Sequence, residues 1–252
     1  MNKGKTAVTL RVAICGRNLP DLRRILRRQP VTLVESKPDL VISYGGDGAL
    51  LGAERDWPGV PKLPLRDRRS NPKCPEHQEE VILDQLRAGT LRESRIIKLA
   101  ASPRGHELTA INDIVVHNKI TTSAVRYRIW LNGELYANRV IGDGLVVATP
   151  FGSTGYYRSI THSLFKIGIG LAFNNSTEPT DHLVIPDDTV IRVEILRGPA
   201  VALADNAQAR VPLLHGESME IRKSNAFARL LGIDLFRCPA CCRLRQENPG
   251  AA

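Results

Sequence analysis

Asp39-Leu40-Val41-Ile42-Ser43-Tyr44-Gly45-Gly46-Asp47-Gly48 decides the reading of this chain. A short apolar run ends abruptly in glycines that bracket a single carboxylate, and ALLGAERD (residues 49–56) follows as the opening of a helix. Strand, glycine turn and helix form the repeating unit of an open α/β sheet, in which ligands sit at the carboxyl ends of the strands. Glycines lack a Cβ, so backbone N–H groups there can approach a ligand. Asp47 is therefore expected on a tight, exposed turn, where an acid takes up a proton or a metal; taken alone, the same acid could simply cap the helix.

The flanking sequence extends the pattern. VTLRVAIC (8–15) reads as a strand, PDLRRILRR (20–28) as a helix, VTLVE (31–35) as a second strand, and EEVILDQLRAG (79–89) as a helix with Gly89 as its stop signal. From Trp57 to Pro75 prolines and the basic run KLPLRDRRSNPK break all periodicity, which predicts a loop over a site. Its charges from Arg66 to Lys73 either contact phosphates or are solvated. Beyond about Arg92 the texture changes to short alternating or β-branched runs: RIIKLAA, HELTAINDIVVHN, SAVRYRIWLNGELYANRV, GLVVATP, HLVIP, TVIRVEIL and ARVPLLHG. Asn132-Gly133 between two alternating runs is a strong hairpin signal. The expected architecture is a Rossmann-like α/β domain over residues 1–95, then an all-β, sandwich-like domain over 96–227. A tail from about 228 to 252 returns to the first domain.

Composition bounds the function. The 252 residues, 42% hydrophobic and 24% charged, describe a soluble globular protein; no stretch is apolar enough for a membrane span and MNKGKTAVTL is too polar for a signal peptide, so a cytoplasmic setting is expected. The net charge of +9 suits anionic partners such as nucleotides. Arg23, Arg24, Arg27 and Arg28 oppose Leu22, Ile25 and Leu26 on one predicted helix, which is the pattern of a solvated face, and no aromatics interleave with them as a single-strand nucleic-acid site would require. Five cysteines without an export signal argue against a disulfide framework. Cys74-Pro75-Glu76-His77 and Cys238-Pro239-Ala240-Cys241 have the residue types and spacing of a tetrahedral zinc site, provided the two pairs meet; otherwise they are free thiols and an exposed histidine. Cys15, within VAIC, reads as a small buried residue. His106, His117, His162, His182 and His215 show no ligand spacing.

A second glycine-flanked acid, Gly142-Asp143-Gly144, leads into Thr149-Pro150-Phe151-Gly152-Ser153-Thr154-Gly155-Tyr156, a segment of hydroxyls and exposed amides suited to ribose and phosphate. No Walker loop and no complete dinucleotide fingerprint is present. The ordered set of GGDG, Asn112-Asp113, GDGLVVATPFGSTGYYRS and Asp205 resembles the NAD kinase family, from Val12 to about Leu231. The resemblance implies phosphoryl transfer from ATP or polyphosphate to the adenosine ribose 2'-hydroxyl of NAD, with Mg²⁺ on the triphosphate, a site between the two domains and a homodimeric or homotetrameric assembly. By the same resemblance Asp47 activates the hydroxyl, and Gly45 and Gly46 place amides at phosphate. Gly48, Asn112, Asp113, Asp143, Ser153, Thr154, Gly155, Tyr156 and Ser159 line the NAD pocket. The sequence also departs from the family. GVPKLPLRDRRSNPKCPEH lacks the family's leucine-glycine-phenylalanine-leucine run, Phe151 stands for threonine, Gly155 for alanine, and Ile160-Thr161-His162 for a double glycine. Two other readings stay open: a divergent nucleotide binder with another acceptor or a sensing role and, on charge alone, a nucleic-acid-binding module.

Overall fold

The computed structural model describes residues 9–69, 73–179 and 181–247, so Val8 of the first expected strand and residues 70–72 of the basic run lie outside the described residues. The chain divides into two compact units, residues 1–95 with 228–252 and residues 96–227. In the first unit β1 (Leu10–Gly16), β2 (Val31–Leu33), β3 (Leu40–Tyr44) and β4 (Lys62–Leu65) alternate with α1 (Leu19–Leu26) and α2 (Asp47–Asp56), and α3 (Glu79–Ala88) follows. The four strands are parallel in the order β2-β1-β3-β4. Every residue of β3 is buried, as a central parallel strand covered on both faces requires. Strand alternation sends Val12, Ile42 and Tyr44 to one face with Leu22, Ile25 and Leu26 of α1 and Ile82 and Leu83 of α3. Ala13 and Val41 go to the other face with Ala53 of α2. Arg23 and Arg24 of α1 and Arg27 and Arg28 just after it are all exposed.

One expectation is overturned. Residues 62–65 form a strand rather than part of a loop, with Leu63 beside Ile42 and Leu65 beside Tyr44. Pro61 and Pro64 hid the apolar alternation, yet Leu63 and Leu65 are as buried as any core residue. Lys62 is wholly buried too; its ammonium donates to the Glu54 carboxylate and, at 2.6 Å, to the Trp57 carbonyl. Charges of the basic run are also used internally. Arg69 donates to both oxygens of Asp21 at 2.6 and 2.9 Å, and Arg68 reaches Glu79 and Glu80. Lys73 donates to Glu79 at 2.8 Å and to the Arg66 carbonyl at 2.7 Å.

The strands from β5 (Glu93–Ala101) onward run β6 (Leu108–Ala110), β7 (Asp113–Asn118), β8 (Val125–Leu131), β9 (Glu134–Gly142), β10 (Gly144–Ala148), β11 (Ile169–Asn174), β12 (His182–Ile185), β13 (Ile191–Arg197), β14 (Ala200–Ala204), β15 (Val211–Leu213) and β16 (Ser218–Leu231). The helix α4 (Tyr156–Thr161) separates β10 from β11, and α5 (Ile233–Phe236) and α6 (Pro239–Glu247) end the chain. The second unit holds two sheets. One pairs the start of β16 with β13, β8 and β9, and the other has the order β12-β11-β10-β7-β14-β15. Tyr127, Ile129, Val193 and Ile195 of the first share one core with Val116, Leu145, Val147 and Leu171 of the second, which makes a β-sandwich. Asn132 and Gly133 both take positive φ, 50° and 84°, the conformation that a two-residue hairpin turn requires.

The alternation pattern did not find β11 or β14, whose IGLAF and AVALA runs do not alternate apolar with polar residues because both faces of these strands are largely buried. HELTAINDIVVHN is two strands, broken at Ile111-Asn112. The end of β16 belongs to the first unit, where Leu230 pairs in parallel with Lys62. No helix among the described residues is long and apolar enough to cross a membrane.

Removing one partner of a buried ion pair leaves the other charge stranded, which typically costs about 3–5 kcal/mol. Lys62→Met is therefore expected to lower the urea midpoint strongly, and adding Glu54→Gln in the same chain should recover part of the loss.

Candidate functional site

Asp47 is the first residue of α2, and Gly46 occupies the N-cap in an extended conformation. The turn leaves the Asp47 side chain 46% exposed, and the Arg66 guanidinium donates to its Oδ1 at 3.3 Å. Arg66 is itself fixed: its guanidinium carbon lies 3.8 Å from the centre of the Phe236 ring, and its Nε donates to the Phe236 carbonyl at 3.5 Å. Arg237 acts on the same carboxylate, since burial pushes its guanidinium below the usual value while Asp47 pulls it back up. Sequence reasoning missed both arginines. Arg66 lay in a run read as either contacting phosphates or solvated, Arg237 in a cysteine-rich tail, and 170 positions separate Arg66 from Phe236. Gly45 needs a correction: its N–H donates to the Leu65 carbonyl at 2.8 Å, so the sheet uses the amide that was expected to meet phosphate. Gly46 and Gly48 stand at the start of α2, where the helix dipole favours an anion.

In the second unit Asp205 organises the approach to β7. Its carboxylate accepts the backbone N–H groups of Ile111, Asn112 and Asp113 at 3.0, 2.8 and 3.2 Å, and its own N–H donates to the Asp113 carbonyl at 2.9 Å. The Asn112 carbonyl accepts from Thr149 N–H at 2.8 Å. Gly152 lies so close to it that a Cβ there would sit 2.1 Å from that oxygen, so no other residue fits. Thr149 Oγ1 donates to the Ile111 carbonyl at 2.5 Å and accepts from Gly152 N–H at 3.1 Å. These bonds fix a small bed on which Asn112 Oδ1 is buried and has no hydrogen-bond partner among the described residues. Asp113 beside it is buried as well. Burial first, and the neighbouring Asp205 second, push its carboxyl up to about 7. Burial also raises Asp205, against the lowering effect of its three N–H donors and Lys98.

The GDG acid is used differently. Asp143 Oδ1 accepts from Asn118 Nδ2 at 3.2 Å and Oδ2 from Asn175 Nδ2 at 2.7 Å, so its carboxylate joins the end of β7 to the loop after β11. Ser153 needs a correction: its side chain is buried and its one hydroxyl proton is already shared between the Pro150 and Phe165 carbonyls, at 2.8 and 3.0 Å, so it faces the protein interior rather than an open pocket. Thr154, Gly155 and Ser159 are exposed, and Ser159 donates back to the Tyr156 carbonyl at 2.7 Å. Tyr156 is half-buried; its hydroxyl accepts from Asn174 Nδ2 at 3.0 Å.

The cysteine and histidine pairs meet. Cys74 Sγ lies 3.2 Å from His77 Nδ1, 3.1 Å from Cys241 Sγ and 3.9 Å from Cys238 Sγ. All four ligand atoms fall within 4.8 Å of one another. Cys15 is half-buried, its thiol pushed up to about 11 by burial, while Cys242 is exposed.

Residues 111–232, which hold the Asn112-Asp113 bed and the GDG turn, match the family model of the ATP-NAD kinase C-terminal domain. An NAD kinase from Magnetococcus marinus is 30% identical over 243 residues, covering 90% of this chain and 78% of that protein. The chain belongs to the NAD kinase family. An NAD kinase from Polaromonas naphthalenivorans is 29% identical over 206 residues, 77% of this chain and 70% of that protein. Two solved structures share the NAD kinase fold. Yeast NADH kinase complexed with NADH superposes with a TM-score of 0.76 at 16% identity, covering 96% of this chain and 88% of that one. The NAD kinase from Archaeoglobus fulgidus in complex with ATP gives 0.73 at 20% identity, covering 96% and 100%.

The Asp113 carboxyl sets a pH dependence. An unfolded aspartate ionises near about pH 4, whereas in the fold Asp113 holds its proton to about 7. Between these values the folded state carries the extra proton, so this group's contribution to stability falls as pH rises through the window and levels off above it. Asp113→Asn is expected to flatten that part of the profile. Measured by thermal melting, the variant should gain on the parent protein between pH 5 and pH 8.

Proposed function

We infer that this NAD kinase family member transfers the γ-phosphoryl group of ATP to the 2'-hydroxyl of the adenosine ribose of NAD, giving NADP. Family membership across nearly the whole chain carries the reading. The site geometry supplies the parts. Phosphoryl transfer needs positioning, charge neutralisation and a group that orients or deprotonates the attacking hydroxyl. Asp47 is placed to act on that hydroxyl, because Arg66 holds Oδ1 and Oδ2 would accept the 2'-hydroxyl proton as its oxygen attacks phosphorus. Arg66 and Arg237 together would offset negative charge that a triphosphate brings to the carboxylate. In this reading Gly46 and Gly48 present the start of α2 to phosphate oxygens.

Asn112 and Asp113 are the proposed recognition pair for the dinucleotide. The unpaired Oδ1 of Asn112 accepts, its amide donates, and a carboxyl with a value of about 7 can do either, which suits the donor and acceptor edge of an amide or a purine. Thr154, Gly155, Tyr156 and Ser159 would line the same pocket, and Asp143 would hold its loops in place through Asn118 and Asn175. Mg²⁺ suits oxygen ligands, and the one cluster of three or more metal-ligating side chains among the described residues is thiol and imidazole. The magnesium would therefore be held chiefly by the triphosphate and water. The Cys/His cluster suits a structural zinc instead. ATP is the donor favoured over polyphosphate, the compartment is cytoplasmic, and the assembly is a homodimer or homotetramer, which light scattering would measure.

Purified protein given ATP, Mg²⁺ and NAD should form NADP. Asp47→Ala should lower the rate by about 10²- to 10⁴-fold, the usual worth of a general base, with an unchanged melting temperature. NADP formation at the parental rate in the variant would remove Asp47 from the mechanism, and none from the parent protein would overturn the activity.

A further inference from the structure

We propose that Cys74, His77, Cys238 and Cys241 bind one zinc ion, and that this ion is a clamp that sets the Asp47 carboxylate by fastening the segment carrying Arg66 to the segment carrying Phe236 and Arg237. Four-coordinate zinc has Zn–S near 2.3 Å and Zn–N near 2.0–2.1 Å, so the ligand atoms of a three-sulfur, one-nitrogen tetrahedron stand about 3.5–3.8 Å apart. Four of the six distances between ligand atoms, 3.1, 3.2, 3.3 and 3.9 Å, bracket that spacing, and all six fall within 4.8 Å. They are far too long for a disulfide, whose sulfurs bond at about 2.05 Å.

Local structure prepares the ligands. Residues 75–77 form one 3₁₀ turn, closed by His77 N–H donating to the Cys74 carbonyl at 3.0 Å, which turns both side chains of C-x-x-H to one side. Cys238 stands at the start of α6, where Cys242 N–H donates to its carbonyl at 3.0 Å and Cys241 comes round to the same side. Cys74 N–H also points at Cys241 Sγ, 3.3 Å away, the kind of second contact that stabilises a thiolate ligand. Four protein ligands close the coordination sphere, so the ion is structural, with no position open to substrate.

The clamp reaches Asp47 through adjoining residues. Lys73, next to Cys74, donates to the Arg66 carbonyl at 2.7 Å. On the other segment Phe236, which holds Arg66 by its ring and its carbonyl, and Arg237 immediately precede Cys238. These contacts with Arg66 thus come from residues that adjoin the zinc ligands in sequence. The importance of this for turnover rests on Asp47 being the reacting group; the zinc site and the clamp do not.

Elemental analysis of the full chain, purified without chelators, should find one zinc per chain; less than about half would overturn the site. Cobalt-substituted protein should show the thiolate-to-metal charge-transfer band and intense visible bands of a tetrahedral sulfur site. Cys241→Ser should weaken them and Cys242→Ser should leave them unchanged; identical spectra for the two variants would also overturn the site. For the clamp, hydrogen exchange is compared between zinc-loaded and zinc-stripped protein. Zinc removal should raise exchange at residues 66–69 and 45–50 at least about tenfold, reversed by one equivalent of zinc. Unchanged exchange at 45–50 would overturn the clamp. Since no readout uses NADP formation, an inactive protein would count against Asp47's catalytic role alone.

Discussion

A carboxylate buried completely inside the first unit fixes the course of everything around Asp47. Glu79, the first residue of α3, is fully shielded from water, and ionising it there is tolerable only because cations and donors converge on it. Burial alone would raise its carboxyl; the Lys73 ammonium at 2.8 Å and the Tyr44 hydroxyl at 2.7 Å outweigh burial and hold it below the usual value. Tyr44 belongs to β3, one step before the GGDG turn, while Arg68 and Lys73 belong to the basic run. One buried charge therefore ties the turn before Asp47, the run that supplies Arg66 and the start of α3 to a single geometry. Departure from the family pattern between Trp57 and His77 acquires a physical meaning here, because the described residues of that stretch form a strand and a set of internal ion pairs.

The second unit solves an equivalent problem with a different group. Asp205 takes three consecutive backbone N–H groups, an arrangement that needs an acceptor with more than one oxygen and holds the peptide from Ile111 to Asp113 against the sandwich. That fixed backbone carries Asn112 Oδ1, buried and without a hydrogen-bond partner among the described residues, and Asp113, which burial and Asp205 keep protonated to near neutrality. Unsatisfied polarity of this kind is costly. Gly152 shows how tight the bed is, since it fits only without a Cβ.

Legibility in the sequence followed the range of the interactions. Elements with a local signature read well: the run DLVISY before its glycines, the amphipathic α1, Gly89 in the left-handed conformation closing α3, and the Asn132-Gly133 turn. Strands buried on both faces, such as β11 and β14, lost the alternation that would have marked them, and β4 was concealed by prolines that an otherwise parallel-paired strand tolerates. Ser153 and Gly45 read as ligand groups because a sequence shows which atoms a residue owns but not whether the fold has already used them.

By itself, then, the sequence determined the chemistry on offer: a lone acid between glycines, an Asn-Asp pair, and two metal-binding half-motifs of the right residue types. Periodicity also determined that an α/β unit precedes a β-rich one, because apolar spacing is a local property of the chain. Only the tertiary structure decided which groups act together. Arg66 meets Asp47 and Phe236, Asp205 meets Asn112 and Asp113, and Cys74 and His77 meet Cys238 and Cys241, pairings set by sheet order and by the chain's return through β16. The physical reason is distance along the chain: ion pairs and metal spheres act over a few ångströms, and local spacing carries no record of which remote segments are folded to within that reach.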